Sequence, residues 1–176
     1  MAILRPLLDQ ARSRRRTAPL IWPPLNIGHR GAAGEAPENT MAAFELAMRQ
    51  GADGIEFDTH LTADGVAVVI HDSRLDRTTS GSGWVREHRA STLGRLDAGS
   101  WFNQRFPSLA RARYSGVKIP LLCEVLTWVR ERNCLAFVEI KDATPGIEGS
   151  KDSSRLVQIG PRRFAQSQVE PPVVPT

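Results

Sequence analysis

The stretch "GIEFDTHLTADGVAVVIHD", Gly54 to Asp72, decides how the rest of this 176-residue chain is read. "GIEFD" and "VAVVIHD" are β-rich segments, and "TADG" between them carries an Asp64-Gly65 turn signal. Residues i and i+2 of a strand share a face, so Glu56 and Asp58 point together. Upstream, "LNIGHRG" (Leu25 to Gly31) reads as a buried strand running into a loop. "ENTMAAFELAMRQG" then predicts a helix with Asn39 as N-cap, an apolar face of Met41, Phe44, Leu46 and Met48, and Gly51 as its stop. Downstream, a glycine-rich, irregular stretch runs from Ser73 to about Lys118. The helix "LLCEVLTWVRER" (Leu121 to Arg132) and the strand "LAFVEIK" (Leu135 to Lys141) follow. Strands alternating with helices in this order predict an α/β fold with a parallel sheet.

Composition limits the function classes. With 41% hydrophobic and 24% charged residues the chain reads as a soluble globular protein. No apolar run approaches the roughly 18 residues of a membrane span. No apolar core with a cleavage site marks a secretory signal, so a cytoplasmic location is expected. The formal charge of +4 resides entirely in residues 1–24, where five arginines face the single acid Asp9. The remainder is neutral, so nucleic acid is not an expected partner, and residues 1–24 read as a basic, poorly ordered extension. A polyanion contact through this arm would have to weaken steeply with salt and vanish on its deletion. Cys123 and Cys134 lack the spacing of a zinc site or a disulfide framework.

The polar residues fall at strand ends, where parallel α/β folds build their sites. His29 and Arg30, Glu56 and Asp58, His71 and Asp72, and Glu139 and Lys141 all lie at such ends. Carboxylates on one interior face repel each other and resist desolvation unless a cation sits among them. All-oxygen ligation favours magnesium or calcium over zinc. Arg30 and Lys141 supply positive charge for an anionic substrate, and two histidines remain to move protons. His60 continues the parity of Glu56 and Asp58, but the strand is expected to be ending there. It and His88 are expected to be hydrogen-bonded surface residues. Trp84, Trp101 and Phe102 are expected to pack a small core.

Taken together, "IGHRGAAGEAPENTMAAFELAMRQGADGIEFDTHLTADGVAVVIHD", "LDRTTSGSG", "LDAGSWF", "IPLLCEVL" and "FVEIK" strongly resemble the glycerophosphodiester phosphodiesterase family, in order from about Asn26 to Lys141. The resemblance implies a (β/α)8 TIM-barrel type of fold with a small insertion after strand 2, here about 73–118, within a domain spanning 25–149. It implies metal-dependent hydrolysis of a small-molecule glycerophosphodiester to sn-glycerol 3-phosphate and an alcohol. Glu56, Asp58 and Glu139 would ligate one divalent cation, Mg2+ or Ca2+. His29 and His71 would be general acid and base, and Arg30 and Lys141 would bind the phosphate. Glu38, Asn39 and Asp72 would support them. By analogy with the family, the substrate's own glycerol hydroxyl attacks first and water then opens a cyclic phosphate. A lysophospholipase D-like activity would use the same site.

Two local departures and one large one set this chain apart. Thr59 stands where an aliphatic residue is common, and Leu121 replaces a capping threonine. A closed barrel needs eight strands and typically about 250 residues, whereas about three barrel strands precede Gly149. From Asp142 to Thr176, 12 of 35 residues are Pro, Gly or Ser, so 150–176 reads as a disordered tail. This is the pattern expected of a truncated or frameshifted product. The alternative function is accordingly a catalytically inactive fragment that retains metal or partner binding.

Overall fold

In the computed structural model, residues 24–141 and 155–160 are described. Strand β1 (Ile27–His29) leads through a tight loop into helix α1 (Met41–Arg49), and α1 leads to β2 (Gly54–Leu61). A turn returns the chain as β3 (Ala67–Val69). The next stretch holds only the short helices α2 (Ala90–Leu93) and α3 (Ser100–Arg105) and three single 3-10 turns. Helix α4 (Leu122–Arg132), strand β4 (Leu135–Ile140) and strand β5 (Arg155–Ile159) complete the described residues.

The sheet order is β1-β2-β4-β5, with β3 paired to the end of β2. β1, β2 and β4 run parallel, joined by helical crossovers, while β3 and β5 are antiparallel to their partners. The fold is therefore α/β, its parallel β1, β2 and β4 with helical crossovers being the unit a TIM barrel repeats, and its sheet is open among the described residues. Register follows the period of two. Ile55 and Phe57 from β2, with Ala136 and Val138 from β4, face the helices and pack against Phe44 and Ala47 of α1 and Val125, Trp128 and Val129 of α4. The opposite face of β2 carries Glu56, Asp58 and His60, and the parallel register sets His29 beside Glu56 and Asp58 beside Glu139. The apolar side is thus the glue, and the polar side is left for chemistry.

Residues 73–118 pack on their own small cores. Leu75, Val85, Leu93 and Ala98 join Val68, Ile70 and Ile119. Phe102 and Tyr114 meet Ala36 and Ala43 beneath the β1–α1 loop, and Phe102 stacks edge-on against both Trp101 and Tyr114. Trp84 instead meets Arg74 and Arg86, whose guanidinium carbons lie 5.2 and 4.4 Å from its ring centroid.

Four sequence expectations need correction. Asn39 does not cap α1. Thr40 does, its Oγ1 accepting the Ala43 N–H at 3.3 Å, while Asn39 adopts φ +56° and turns toward β2. Both residue types favour caps, so "ENT" left the choice of register open. Helix α4 begins at Leu122, and Leu121 has no side chain with which to cap it. The Glu124 carboxylate accepts the Leu121 N–H at 2.9 Å instead, the reciprocal half of a capping box. β2 does not end before His60 but continues to Leu61, because β3 pairs His60 with Val68. Finally, residues 155–160 are not a disordered tail: β5 forms a five-residue antiparallel ladder with β4, from Ala136 opposite Ile159 to Ile140 opposite Arg155. The edge of β4 offers unpaired N–H and C=O groups, and backbone pairing needs no sequence alternation to satisfy them. Residues 150–154 and 161–176 of that expected tail, residues 142–149 of the expected domain, and residues 1–23 of the expected basic extension lie outside the described residues.

Candidate active site

The site starts with a strained loop. Arg30 follows β1 with φ +54°, a left-handed conformation that an arginine adopts only when its surroundings over-determine it. Gly31 follows at φ +78°, where a Cβ atom would come within 2.7 Å of the Ala43 Cβ, so only glycine lets the loop lie on α1. The turn aims the Arg30 N–H at the Glu56 carboxylate, 3.1 Å away. It also sends the guanidinium over the end of β2, with Nη1 3.0 Å from Glu38 Oε1 and Nε 3.4 Å from Asp58 Oδ2.

At the centre, Glu56, Asp58 and Glu139 each offer a carboxylate oxygen, and these oxygens lie within 4.8 Å of one another. Asp58 is 1% exposed. It accepts from Asn39 Nδ2 at 2.9 Å, and its own N–H donates to Asn39 Oδ1 at 3.3 Å, so the left-handed Asn39 is a clamp on Asp58. The Lys141 ammonium bridges Asp58 at 3.0 Å and Glu139 at 2.8 Å. Burial pushes the Lys141 ammonium down, but Glu139 and Asp58 outweigh it and hold its pKa above the usual value. Burial, reinforced by the charges of Asp58 and Glu139, raises the Glu56 carboxyl, against the opposing pull of the Arg30 N–H. Such crowded carboxylates fit a hard divalent cation, whose charge would relieve the repulsion. Thr59 has its own explanation: its Oγ1 donates to the Glu139 carbonyl at 3.3 Å, a tie between β2 and β4 that an aliphatic residue cannot make.

The histidines occupy two settings. His29 is largely exposed, with Nε2 3.8 Å from Glu56 Oε2. His71 is half-buried, and its Nδ1 lies 2.6 Å from Asp72 Oδ1. Burial raises the Asp72 carboxyl, but hydrogen bonds from Arg77 and His71 outweigh it and hold the pKa at about 2. An ionised carboxylate only accepts, so the His71 Nδ1–H donates to it and Nε2 points away from this contact.

All the expected site residues are brought into one network of contacts. His29, Arg30, Glu56, Asp58, Glu139, Lys141 and Asn39 join directly, and Glu38 links through Arg30. His71 and Asp72 connect through Arg77, which forks onto both Asp72 and Glu38. Arg77 is not among the expected site residues, although its "LDRTT" lies in one of the segments that carry the family resemblance. His60 was expected at the surface but is half-buried, with Nε2 3.0 Å from the His71 carbonyl oxygen. Its continued parity with Glu56 and Asp58 was the signal for this placement. Burial, with Lys141 nearby, holds its pKa below the usual value. No helix among the described residues is long and apolar enough to cross a membrane.

Comparison with known proteins bears on this arrangement. The glycerophosphodiester phosphodiesterase of Bacillus subtilis strain 168 is 44% identical over 125 residues, covering 70% of this chain and 43% of that protein. The glycerophosphodiester phosphodiesterase of Caldanaerobacter subterraneus subsp. tengcongensis is 45% identical over 127 residues, covering 70% and 49%. The chain thus spans about half the length of the curated relatives it matches. Among solved structures, a glycerophosphodiester phosphodiesterase from Agrobacterium tumefaciens strain C58 superimposes with a TM-score of 0.60 at 45% identity, covering 69% of this chain and 48% of that one. An Oleispira antarctica phosphodiesterase in complex with the product sn-glycerol-3-phosphate gives a TM-score of 0.60 at 38% identity, covering 67% and 44%. Residues 29–157, which hold every residue of the network, match the glycerophosphoryl diester phosphodiesterase family, and the chain belongs to that family.

Proposed function

We propose that this chain hydrolyses glycerophosphodiesters to sn-glycerol 3-phosphate and an alcohol, by general acid and base catalysis beside a divalent cation. The observation that carries the reading is the Glu56, Asp58 and Glu139 cluster, bordered by the Arg30 guanidinium and the Lys141 ammonium. Three carboxylates alone would repel a phosphodiester. With Mg2+ or Ca2+ bound to them, the cation would neutralise the acids and draw off charge from the phosphoryl oxygens. The product held by the Oleispira antarctica relative supports the same substrate class.

Within that frame each side chain has a task. Arg30 and Lys141 donate to the phosphoryl oxygens, where negative charge spreads as the P–O bond breaks. Their pairing with Glu38, Asp58 and Glu139 fixes the donors in place before substrate arrives. His71 keeps its Nδ1 proton on Asp72 and offers Nε2 for proton transfer. His29, exposed and steered by Glu56, serves the other side. One histidine takes the proton of the attacking hydroxyl, the other gives a proton to the leaving alcohol oxygen, and one water is consumed over the cycle.

The test is release of glycerol 3-phosphate from glycerophosphocholine by the purified chain with Mg2+ or Ca2+. Turnover that disappears with EDTA and with His29→Ala supports the reading. A folded, soluble chain that releases nothing with either ion refutes it.

A further inference from the structure

We propose that Arg77 is a positioning residue that couples the orientation of His71 to that of Arg30. The inference rests on the phosphodiesterase reading for its kinetic consequence, though not for its geometry. Arg77 Nε lies 2.5 Å from Asp72 Oδ2 and Nη2 lies 3.0 Å from Asp72 Oδ1, a two-point contact. On its other edge, Nη1 is 2.8 Å from Glu38 Oε2 and Nη2 is 2.8 Å from Glu38 Oε1. One planar fork therefore holds two carboxylates, a geometry that a lysine cannot reproduce.

The two oxygens that meet at Nη2 are also the ones that hold the reactive groups. Asp72 Oδ1 accepts from His71 Nδ1 at 2.6 Å. Glu38 Oε1 accepts from Arg30 Nη1 at 3.0 Å. If Arg77 were removed, Asp72 and Glu38 could rotate, and each would carry its partner with it. Arg77 is not placed to hold substrate, because four of the five N–H bonds of a guanidinium are already engaged in these contacts.

Its backbone is fixed from both sides. Leu75 and Thr78 are buried, the Leu75 N–H donates to the Gly83 carbonyl at 2.9 Å, and Thr79 Oγ1 donates to the Leu75 carbonyl at 2.8 Å. The electrostatics agree. Burial raises the Glu38 carboxyl, but the hydrogen bonds and charge of Arg77, with a further contribution from Arg30, outweigh it and hold it below the usual range.

The experiment uses the full chain labelled with 15N and reads the histidine ring signals, with those of His71 assigned by their loss in His71→Gln. The wild type is expected to hold His71 as a single Nδ1–H tautomer. In Arg77→Ala the His71 signals should move toward a mixture of tautomers, and Arg77→Lys should fall between the two. Arg77→Gln, neutral but still a donor, serves if the alanine variant does not fold. In parallel, kcat/KM for glycerophosphocholine should fall about 10- to 100-fold in Arg77→Ala, with KM rising as well as kcat falling. The melting temperature should shift by only a few degrees, as for a partly exposed ion pair. Combined with Asp72→Asn, the kinetic losses should not add. A wild-type His71 spectrum in a folded Arg77 variant overturns the proposal. The spectrum needs no turnover, so a chain that hydrolyses nothing refutes the phosphodiesterase reading while the tautomer still decides the role of Arg77.

Discussion

Replacing Lys141 with methionine keeps an unbranched apolar stem of four atoms and removes the ammonium that lies 3.0 Å from Asp58 and 2.8 Å from Glu139. At an effective dielectric of about 20, each such contact has a gross Coulomb energy of about 6 kcal/mol. Desolvation of the pair and the 21% exposure of the lysine reduce the net loss to about 2 kcal/mol. That loss should appear only without metal, because a divalent cation among Glu56, Asp58 and Glu139 would take over the neutralising role. The assay is urea unfolding of wild type and Lys141→Met, each with EDTA and with saturating Mg2+. The expected pattern is a variant about 2 kcal/mol less stable in EDTA and close to wild type in Mg2+. An equal deficit in both conditions, or none in either, would refute the argument that Lys141 and a cation balance the same carboxylates.

Other consequences can be checked separately. His29→Ala and His71→Ala should each lower kcat by about 10² to 10⁴ with the fold intact by circular dichroism; a loss below tenfold for both would remove the histidines from proton transfer. The folded Asp72 carboxyl, near 2, lies below its ordinary value of 3.8, so its stabilisation is present above about pH 4 and is lost as the pH falls toward 2. At this partly exposed group the contribution is about 1 kcal/mol, and acid unfolding of Asp72→Asn should be flatter over that interval than that of the wild type. Phe44 is fully buried among Phe57, Trp128 and the β2–β4 face, so Phe44→Ala should cost about 3 to 5 kcal/mol in chemical denaturation.

The sequence carried the site further than the scaffold, for physical reasons. Strand parity placed Glu56 with Asp58 and Glu139 near Lys141, because a period of two leaves no choice of face once one residue is buried. Helix α1 followed from the apolar residues Met41, Phe44, Leu46 and Met48 and from a terminal glycine; of these Phe44, with Met41 and Met48 beside it, faces the sheet, while Leu46 packs elsewhere. What could not be read was the choice between two adjacent capping residues: Thr40 took the cap, and Asn39 was freed to hold Asp58. Arg77 escaped notice because its importance lies in two carboxylates, one of them 39 residues away, and no local pattern encodes that meeting. β5 escaped as well, since its five exposed residues carry no burial pattern and pair through backbone alone.

The central claim is that this site directs attack at phosphorus, and oxygen labelling reads that directly. Glycerophosphocholine hydrolysed by the full chain with Mg2+ or Ca2+ in H2(18)O, followed by 31P NMR, should place one 18O in the phosphate of the glycerol 3-phosphate formed. The label in choline instead, or unchanged diester with a folded chain and either ion present, would contradict the account.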